Sequence, residues 1–364
     1  MNKIFNLQNI IKGCLLPLSK TDKQDLLKIR AIILSPQNRV KLGVSALRLH
    51  YSNVKYYTQV SNNFSNSLKL TPDFITGFSD AEGSFMISIR SNKTWRHSWS
   101  VAARFEISQP TADEVLLVKI REFFKGAGSI YRFGEDKITY RVNRLDELLT
   151  IIIPHFKLYP LKTNKQKDFE LFLKGIEYIN KKEHLTEEGL SKLVAIRASM
   201  NLGLSNSLKA AFPLCVPAPR SELVLQPLNP QWVAGFTSGE GYFGVKLSLS
   251  RTIKTGVQVS LVFQLTQHRR DELLMKSLVD YFGCGKYYSS NRAEYGDYIV
   301  TKLSYITGKI IPFFEENKIA GVKYQDFNDW CKVVSLMKDK QHLTPSGLDK
   351  IKEIISDMNN NRSF

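Results

Sequence analysis

One stretch of this chain occurs twice. Leu70 to Phe85 reads Leu-Thr-Pro-Asp-Phe-Ile-Thr-Gly-Phe-Ser-Asp-Ala-Glu-Gly-Ser-Phe, and Leu228 to Phe243 reads Leu-Asn-Pro-Gln-Trp-Val-Ala-Gly-Phe-Thr-Ser-Gly-Glu-Gly-Tyr-Phe. Pro72, Gly77, Phe78, Glu82, Gly83 and Phe85 are answered by Pro230, Gly235, Phe236, Glu240, Gly241 and Phe243, each at an offset of 158. A repeat at fixed spacing means one structural unit built twice. The register persists beyond the motif: Gln109 answers Gln267, Ile152 and Pro154 answer Ile310 and Pro312, Lys165 answers Lys323, and His184-Leu185-Thr186 answers His342-Leu343-Thr344. Only the tip from Phe124 to Tyr131 is one residue longer than its counterpart, Phe282 to Tyr288.

Each copy has the grammar of a short helix that delivers one carboxylate. Thr71 or Asn229 can cap it, and Pro72 or Pro230 suits the first helical position, where an N–H would have no partner. Gly83 and Gly241 predict a helix end in the left-handed conformation that glycine adopts without strain. Gly77 with Ala81, and Gly235 with Gly239, put small residues four apart on one face, so two such helices can approach with their backbones nearly touching. Packed about a two-fold axis, they bring Glu82 and Glu240 together at a helix-to-strand corner.

Alternating segments follow each motif and predict antiparallel strands. Phe85, Ile87, Ile89, Val101, Ala103, Phe105 and Ile107 form a core face, leaving Ser84, Met86, Ser88, Arg90, Ser100, Ala102, Arg104, Glu106 and Ser108 on a polar one. In the second copy Phe243, Val245, Leu247, Val259, Leu261, Phe263 and Leu265 are expected in the core, with Lys246, Ser248, Gln258, Ser260, Gln264 and Thr266 outward. A helix over 111–124, strands near 129–133 and 137–142, and helices near 144–156, 165–179 and 186–201 complete the first unit, and the second repeats the order. The division is therefore a leader over 1–69, a first domain over 70–200, a linker over 201–227 and a second domain over 228–364. The linker contains Pro213, Pro217, Pro219 and Pro227 and few helix signals.

A formal net charge of +17 across 364 residues calls for a polyanionic partner, of which nucleic acid is the leading class. The leader holds eleven Lys or Arg and two Asp, net +9, against +8 for the remainder. Within it 26–34 is expected to be helical and 52–67 loosely ordered. Its basic, acid-poor composition suits a solvated tail, an arm on nucleic acid or an organellar targeting segment. Cys14, Cys215, Cys284 and Cys331 are scattered, which supports neither a zinc site nor a disulfide framework. No apolar run approaches the length of a membrane span, so no membrane partner is expected.

Two carboxylates at one interface repel unless a cation lies between them, and hard oxygen ligands beside phosphate suit Mg²⁺. Such an ion against a scissile phosphate can activate water and stabilise the departing oxygen. Two acids about a pseudo-two-fold match the two strands of a duplex. Gln109, Gln267, Lys165 and Lys323 are repeated polar residues, able to orient water or steady developing charge. Gly283-Cys284-Gly285-Lys286 lacks the spacing of a phosphate loop and reads as a turn into a strand. His184 and His342 precede Thr at a helix start, where a structural role is expected.

Ile75-Thr-Gly-Phe-Ser-Asp-Ala-Glu-Gly83 and Val233-Ala-Gly-Phe-Thr-Ser-Gly-Glu-Gly241, followed by Phe105-Glu-Ile-Ser-Gln109 and Phe263-Gln-Leu-Thr-Gln267, resemble the two motifs of a monomeric, double-motif LAGLIDADG homing endonuclease, similar to the fungal mitochondrial intron-encoded branch. The resemblance covers about residues 70 to 364. It implies an α+β fold with two pseudo-two-fold related αββαββα domains, whose two antiparallel sheets form a saddle over double-stranded DNA. It also implies site-specific double-strand cleavage that promotes intron mobility, and action as a monomer in the mitochondrion. The motif match makes Glu82 and Glu240 metal ligands together with the backbone at Ala81 and Gly239, for Mg²⁺ or another divalent cation such as Mn²⁺. Gln109, Gln267, Lys165 and Lys323 take the water-organising and phosphate-facing roles. The polar sheet faces then lie in the major groove, with Ser84, Ser88, Arg90, Arg104, Glu106, Lys246, Ser248, Gln258 and Gln264 as candidate DNA contacts. Ser238 stands where the first copy has Asp80, a position expected to cap or pack. The alternative reading is a maturase that binds its host intron RNA with weak or no DNA cleavage, and a third is a DNA-binding regulator with no metal dependence.

Overall fold

The computed structural model describes residues 70–94, 98–289 and 294–359. The expectations for the leader therefore lie outside the described residues. Two helices, α1 (Pro72–Glu82) and α6 (Pro230–Glu240), lie against each other at the centre. Their starts follow from the predicted caps: Thr71 Oγ1 accepts from Phe74 N–H at 3.2 Å, and Asn229 Oδ1 accepts from Gln231 N–H at 2.8 Å. Their separation is set by two glycines. A Cβ on Gly77 would lie 2.0 Å from the Trp232 carbonyl oxygen, and one on Gly235 would lie 2.1 Å from that of Phe74, so only hydrogen fits at either crossing point.

Both helices end differently from the expectation. Gly83 and Gly241 are extended (φ −76°, ψ 153° and φ −71°, ψ 143°) rather than left-handed, because each is already the first residue of a strand. Glycine is still required there: a Cβ would meet the Ser79 carbonyl oxygen at 2.7 Å, or that of Thr237 at 2.5 Å.

In the first half β1 (Gly83–Ser91) and β2 (Trp99–Pro110) lead through a single 3₁₀ turn, Thr111–Asp113, into α2 (Glu114–Phe123), then β3 (Ser129–Phe133) and β4 (Lys137–Val142). A helical run from Leu145 to Leu158 passes through a π-turn. It is followed by α3 (Lys165–Asn180) and α4 (Glu187–Ser199). The stretch between the halves, a linker with few helix signals in its sequence, contains the short α5 (Asn206–Ala211), capped by Ser205 Oγ on Leu208 N–H at 3.4 Å. The second half repeats the order with β5 (Gly241–Leu249), β6 (Val257–His268), α7 (Glu272–Phe282), β7 (Lys286–Ser289), β8 (Tyr295–Val300), another π-containing run, α8 (Val322–Lys338) and α9 (Pro345–Ser356).

Each half forms a four-stranded antiparallel sheet, ordered β1-β2-β4-β3 and β5-β6-β8-β7. The register pairs Phe85 with Phe105, Ile87 with Ala103 and Ile89 with Val101, which puts the expected apolar residues on one face. Phe243 with Phe263 and Val245 with Leu261 do the same in the second sheet. Each core closes around one ring: Phe85 meets Phe105, Phe156, Phe169 and Phe172, and Phe243 meets Phe263, Phe314, Phe327 and Trp330. One residue placed in the second core by alternation is not buried there. Leu247 is 39% exposed, as the apolar side of β5 runs out of cover towards the strand tip. Gly283 and Gly285 both have positive φ just before β7, so this stretch is the turn that its sequence predicts.

Candidate active site

The interface helices bring the two motif acids to the same end of the pair. A Cβ on Gly239 would lie 2.5 Å from Ala81 Cβ, 3.0 Å from Glu82 Cγ and 3.2 Å from Glu82 Oε1. The first acid therefore lies against the last turn of the helix that ends in Glu240. Burial first, and the Glu82 charge second, push the Glu240 carboxyl up to about 7. Of the two lysines that favour its ionised form, Lys165 of the first half acts more strongly than Lys323 of its own half.

The supporting residues are placed by the strands and helices around this corner. Gln267, near the end of β6, donates from Nε2 to Glu240 Oε1 at 3.1 Å, while its Oε1 accepts from His268 N–H at 2.8 Å. The backbone contact fixes which end of the amide faces the acid. Gln109 holds the equivalent position on β2 and is half-buried. Lys165, the first residue of α3, donates from Nζ to the Ser79 and Ala81 carbonyl oxygens at 3.0 and 3.1 Å. Burial lowers its pKa, with Asp80, Glu240 and Glu82 opposing that shift. Its ammonium already rests on Ala81 O, one of the backbone groups expected to hold metal. Lys323 is half-buried in the first turn of α8.

Asp80, two residues before the first acid, is a staple. Its carboxylate accepts from Lys162 N–H (2.8 Å), Thr163 N–H (3.1 Å), Thr163 Oγ1 (2.6 Å) and Trp232 Nε1 of the other helix (2.8 Å). Burial pushes its pKa up, and the hydrogen bonds to Thr163 and Lys162, the Lys165 charge and the Trp232 bond oppose this. Ser238 packs, one of the two roles expected of it: it is buried, donates to Ala234 O at 2.8 Å and accepts from Ala320 N–H at 3.0 Å.

Two acids at the interface escaped sequence reasoning. Asp113 Oδ1 accepts from Val322 N–H at 2.7 Å, and Asp271 Oδ1 accepts from Asn164 N–H at 2.5 Å and Asn164 Nδ2 at 3.0 Å. Burial, aided by Glu82 and Asp326 against Val322 N–H and Lys323, raises Asp113 to about 6. They also stand 158 apart, the signal that would have found them.

Donor chemistry fits a hard divalent cation: two carboxylates, one with its pKa raised by burial and then by its like-charged neighbour, with backbone carbonyls alongside. Among the described residues no group of three or more His, Cys, Asp or Glu could hold a metal by itself. The remaining ligands must come from backbone, water or phosphate.

The polar sheet faces carry the expected DNA-contact residues. On the first, Glu106 pairs with Arg104 at 2.9 Å and with Arg141, and the Arg141 guanidinium lies 5.1 Å from the Tyr131 ring centre. Ser84, Ser88 and Arg90 share that face by register. On the second, Gln264 Nε2 and Thr266 Oγ1 both donate to Asp297 Oδ1, at 2.9 and 2.6 Å, while Lys246, Ser248 and Gln258 are exposed. Arg141, Tyr131 and Asp297 are additions, readable in retrospect because Arg141 and Asp297 lie opposite Glu106 and Thr266 in register.

A family profile described as LAGLIDADG endonuclease matches residues 75–176 and 233–334. Two Neurospora crassa proteins are similar: "Probable intron-encoded endonuclease 2", 40% identical over 297 residues (78% of this chain, 64% of the relative), and "Probable intron-encoded endonuclease 3", 37% identical over 293 residues (80% and 55%). The chain thus spans about half to two thirds of these relatives' lengths. Among solved structures, the I-SmaMI LAGLIDADG homing endonuclease bound to cleaved DNA is 46% identical with a TM-score of 0.79, covering 81% of this chain and 99% of that one. I-SmaMI bound to uncleaved DNA target in the presence of calcium ions is also 46% identical, with a TM-score of 0.78, covering 80% and 99%.

Proposed function

The chain belongs to the LAGLIDADG endonuclease family, and from that premise we propose that it is a monomeric homing endonuclease that makes a site-specific double-strand break in DNA and thereby spreads its own intron. One observation carries the reading: Glu82 and Glu240 converge across the interface, with Glu82 helping to push Glu240 up to about 7. A pair of acids held together in this way is suited to share a divalent cation.

Glu82, Glu240 and the Ala81 and Gly239 carbonyls would hold that cation, with Mg²⁺ or Mn²⁺ as the expected metal. When bound, it supplies Lewis acidity and charge neutralisation beside the scissile phosphate. The protein's own groups supply the rest. Gln267 fixes the Glu240 carboxylate through a donor of set direction, and Gln109 serves the equivalent place on the other side. Lys165 and Lys323 offer ammonium groups towards charge developing on the phosphate. The polar sheet faces, on a chain of net charge +17, bind the duplex through phosphates and read bases in the major groove. We place its activity in the mitochondrion, on its resemblance to the fungal intron-encoded branch and the intron-encoded relatives.

The test is incubation of the purified full chain with a plasmid carrying the intron-free insertion site. Linear product with Mg²⁺, abolished by EDTA and by Glu82→Gln, is expected. Cutting that survives EDTA or Glu82→Gln overturns the mechanism. Tight binding without cutting moves the function to an intron maturase, for which splicing of the host intron RNA is the readout.

A further inference from the structure

At the starts of the helices that carry the two site lysines the residue in the capping position caps nothing itself, and in α3 the Lys165 N–H turns back to Thr163 Oγ1 at 3.2 Å. Asn164 and Gly321, the residues in the capping positions of α3 and α8, make no side-chain hydrogen bond to the helix. At each start an acid from the opposite half takes one backbone amide, that of the capping residue Asn164 in α3 and that of the first helical residue Val322 in α8. Asp113, at the end of the first sheet's exit turn, accepts from Val322 N–H, next to Lys323; Asp271, its counterpart 158 residues on, accepts from Asn164 N–H, next to Lys165. The contact at Asp113 depends on Gly321, where φ is +71° and a Cβ would lie 2.3 Å from Asp113 Oδ1. At the other crossing Asn164 adds its own side chain, giving Nδ2 to Asp271 Oδ1 and to the Arg270 carbonyl.

These acids stand beside the reactive corner. Both Lys323 and Glu82 act on the Asp113 charge, and Lys165 is the lysine that acts most strongly on Glu240. Each acid thus holds the helix start that carries the other half's lysine: Asp113 of the first half that of Lys323, and Asp271 of the second half that of Lys165, whose ammonium rests on the Ser79 and Ala81 carbonyls. An acid at a helix N-terminus satisfies an unpaired amide and complements the dipole. Here it also sets where the lysine stands relative to the acid of the opposite half.

Resting on the endonuclease reading, we propose that Asp113 and Asp271 are reciprocal positioning residues, each clamping the start of the partner half's lysine helix at the reactive corner, so that each governs the cutting of one strand. A displacement of the order of 1 Å in such a group can cost about 100-fold in rate. Losing one clamp should therefore disable one site and spare the other.

The experiment uses the full chain with Asp113→Ala and Asp271→Ala on a supercoiled plasmid bearing one target, with strand-specific end labels. Each variant is expected to accumulate nicked circle, with one strand cut about 10- to 100-fold more slowly, and the two variants should spare opposite strands. Asp113→Asn and Asp271→Asn, which keep an oxygen acceptor, should restore most of the lost rate. Amide exchange read without DNA should quicken at Val322 and Lys323 in Asp113→Ala, and at Asn164 and Lys165 in Asp271→Ala. Equal slowing of both strands, unchanged cutting, or exchange rates like those of the parent chain would overturn the proposal. If the parent chain cuts neither strand, the endonuclease reading fails, while the exchange measurement still decides whether the clamps hold their helices.

Discussion

Replacing Asp80 with alanine should unlock the centre of the molecule, because that carboxylate is the acceptor for four donors from two elements. Thr163 N–H and Trp232 Nε1 would be left buried without a partner, at about 1–3 kcal/mol each, with a smaller loss at the partly buried Lys162 amide. Relief of a buried carboxylate, whose pKa is already raised, offsets part of this. The net cost is about 3–5 kcal/mol, a large fraction of the 5–15 kcal/mol that keeps a typical domain folded. Ser238→Ala is the internal control. It removes one acceptor from one amide, Ala320 N–H, and should cost about 1–2 kcal/mol. Trp232→Phe keeps an aromatic ring to stack on Phe236 but deletes the indole donor, so its cost should fall between the two. Urea unfolding followed by tryptophan fluorescence measures all three. An Asp80→Ala chain no less stable than Ser238→Ala would refute the account of this carboxylate as a staple between the halves.

Glu240 provides a pH test. Its folded pKa of about 7 lies above the ordinary 4.5, so the folded state holds the proton more tightly and, without metal, stability should fall as pH rises from about 4.5 to about 7, by about 3 kcal/mol. Thermal melts in EDTA should show this slope. It should become shallower in Glu82→Gln, which removes the like charge, and in Glu240→Gln, where the residual slope belongs to Asp113; a slope unchanged by either substitution argues against acid-to-acid coupling. At the helix crossing, Gly77→Ala and Gly235→Ala put a methyl about 2 Å from a backbone oxygen and should each cost at least the 1–3 kcal/mol of ordinary overpacking. Gly308→Ala, which meets nothing within 4 Å, should shift stability by less than about 0.5 kcal/mol. Equal melting temperatures for the three variants would contradict the close crossing.

What the sequence made legible was what local pattern controls. Alternation assigned the sheet faces because burial on a pleated strand has a period of two, and the Thr-Pro and Asn-Pro starts identified the central helices because capping is a matter of adjacent residues. Gly83 and Gly241 were recognisable as necessary but for the wrong reason, since the atom each must avoid is a carbonyl one turn back, not a forbidden φ. Asp113 and Asp271 were hidden for a different reason. Each opens a helical segment, where an acid is ordinary, and the amides they bind are 209 and 107 residues away in the chain. Glu106 had the same ambiguity: Arg104 is its neighbour on the same strand, but its second partner depends on strand register, and only pairing β2 with β4 brings Arg141 opposite it.

The two halves have kept and lost different things, and the division follows the physics of the interface. Several positions where the halves meet keep identical residues 158 apart, namely Gly77 and Gly235, Glu82 and Glu240, Gln109 and Gln267, Asp113 and Asp271, Lys165 and Lys323, whereas the Asp80–Trp232 staple is answered by Ser238 and Phe74. A change at any of these is felt by both halves, because each helix crossing, acid pair and clamp has one partner on either side. The polar sheet faces have no such constraint. Arg104, Glu106, Thr139 and Arg141 are answered by Val262, Gln264, Asp297 and Ile299, and Ser84, Ser88 and Arg90 by Tyr242, Lys246 and Ser248. One face thus presents a carboxylate held between two guanidinium groups, and the other a carboxylate bridged by an amide and a hydroxyl. A duplex laid across both would meet different donors and acceptors on either side of a centre whose acids, glutamines and lysines are duplicated. On the proposed endonuclease reading, the duplicated interface would give both strands the same reaction, while the divergent faces would suit a target whose two halves differ in sequence.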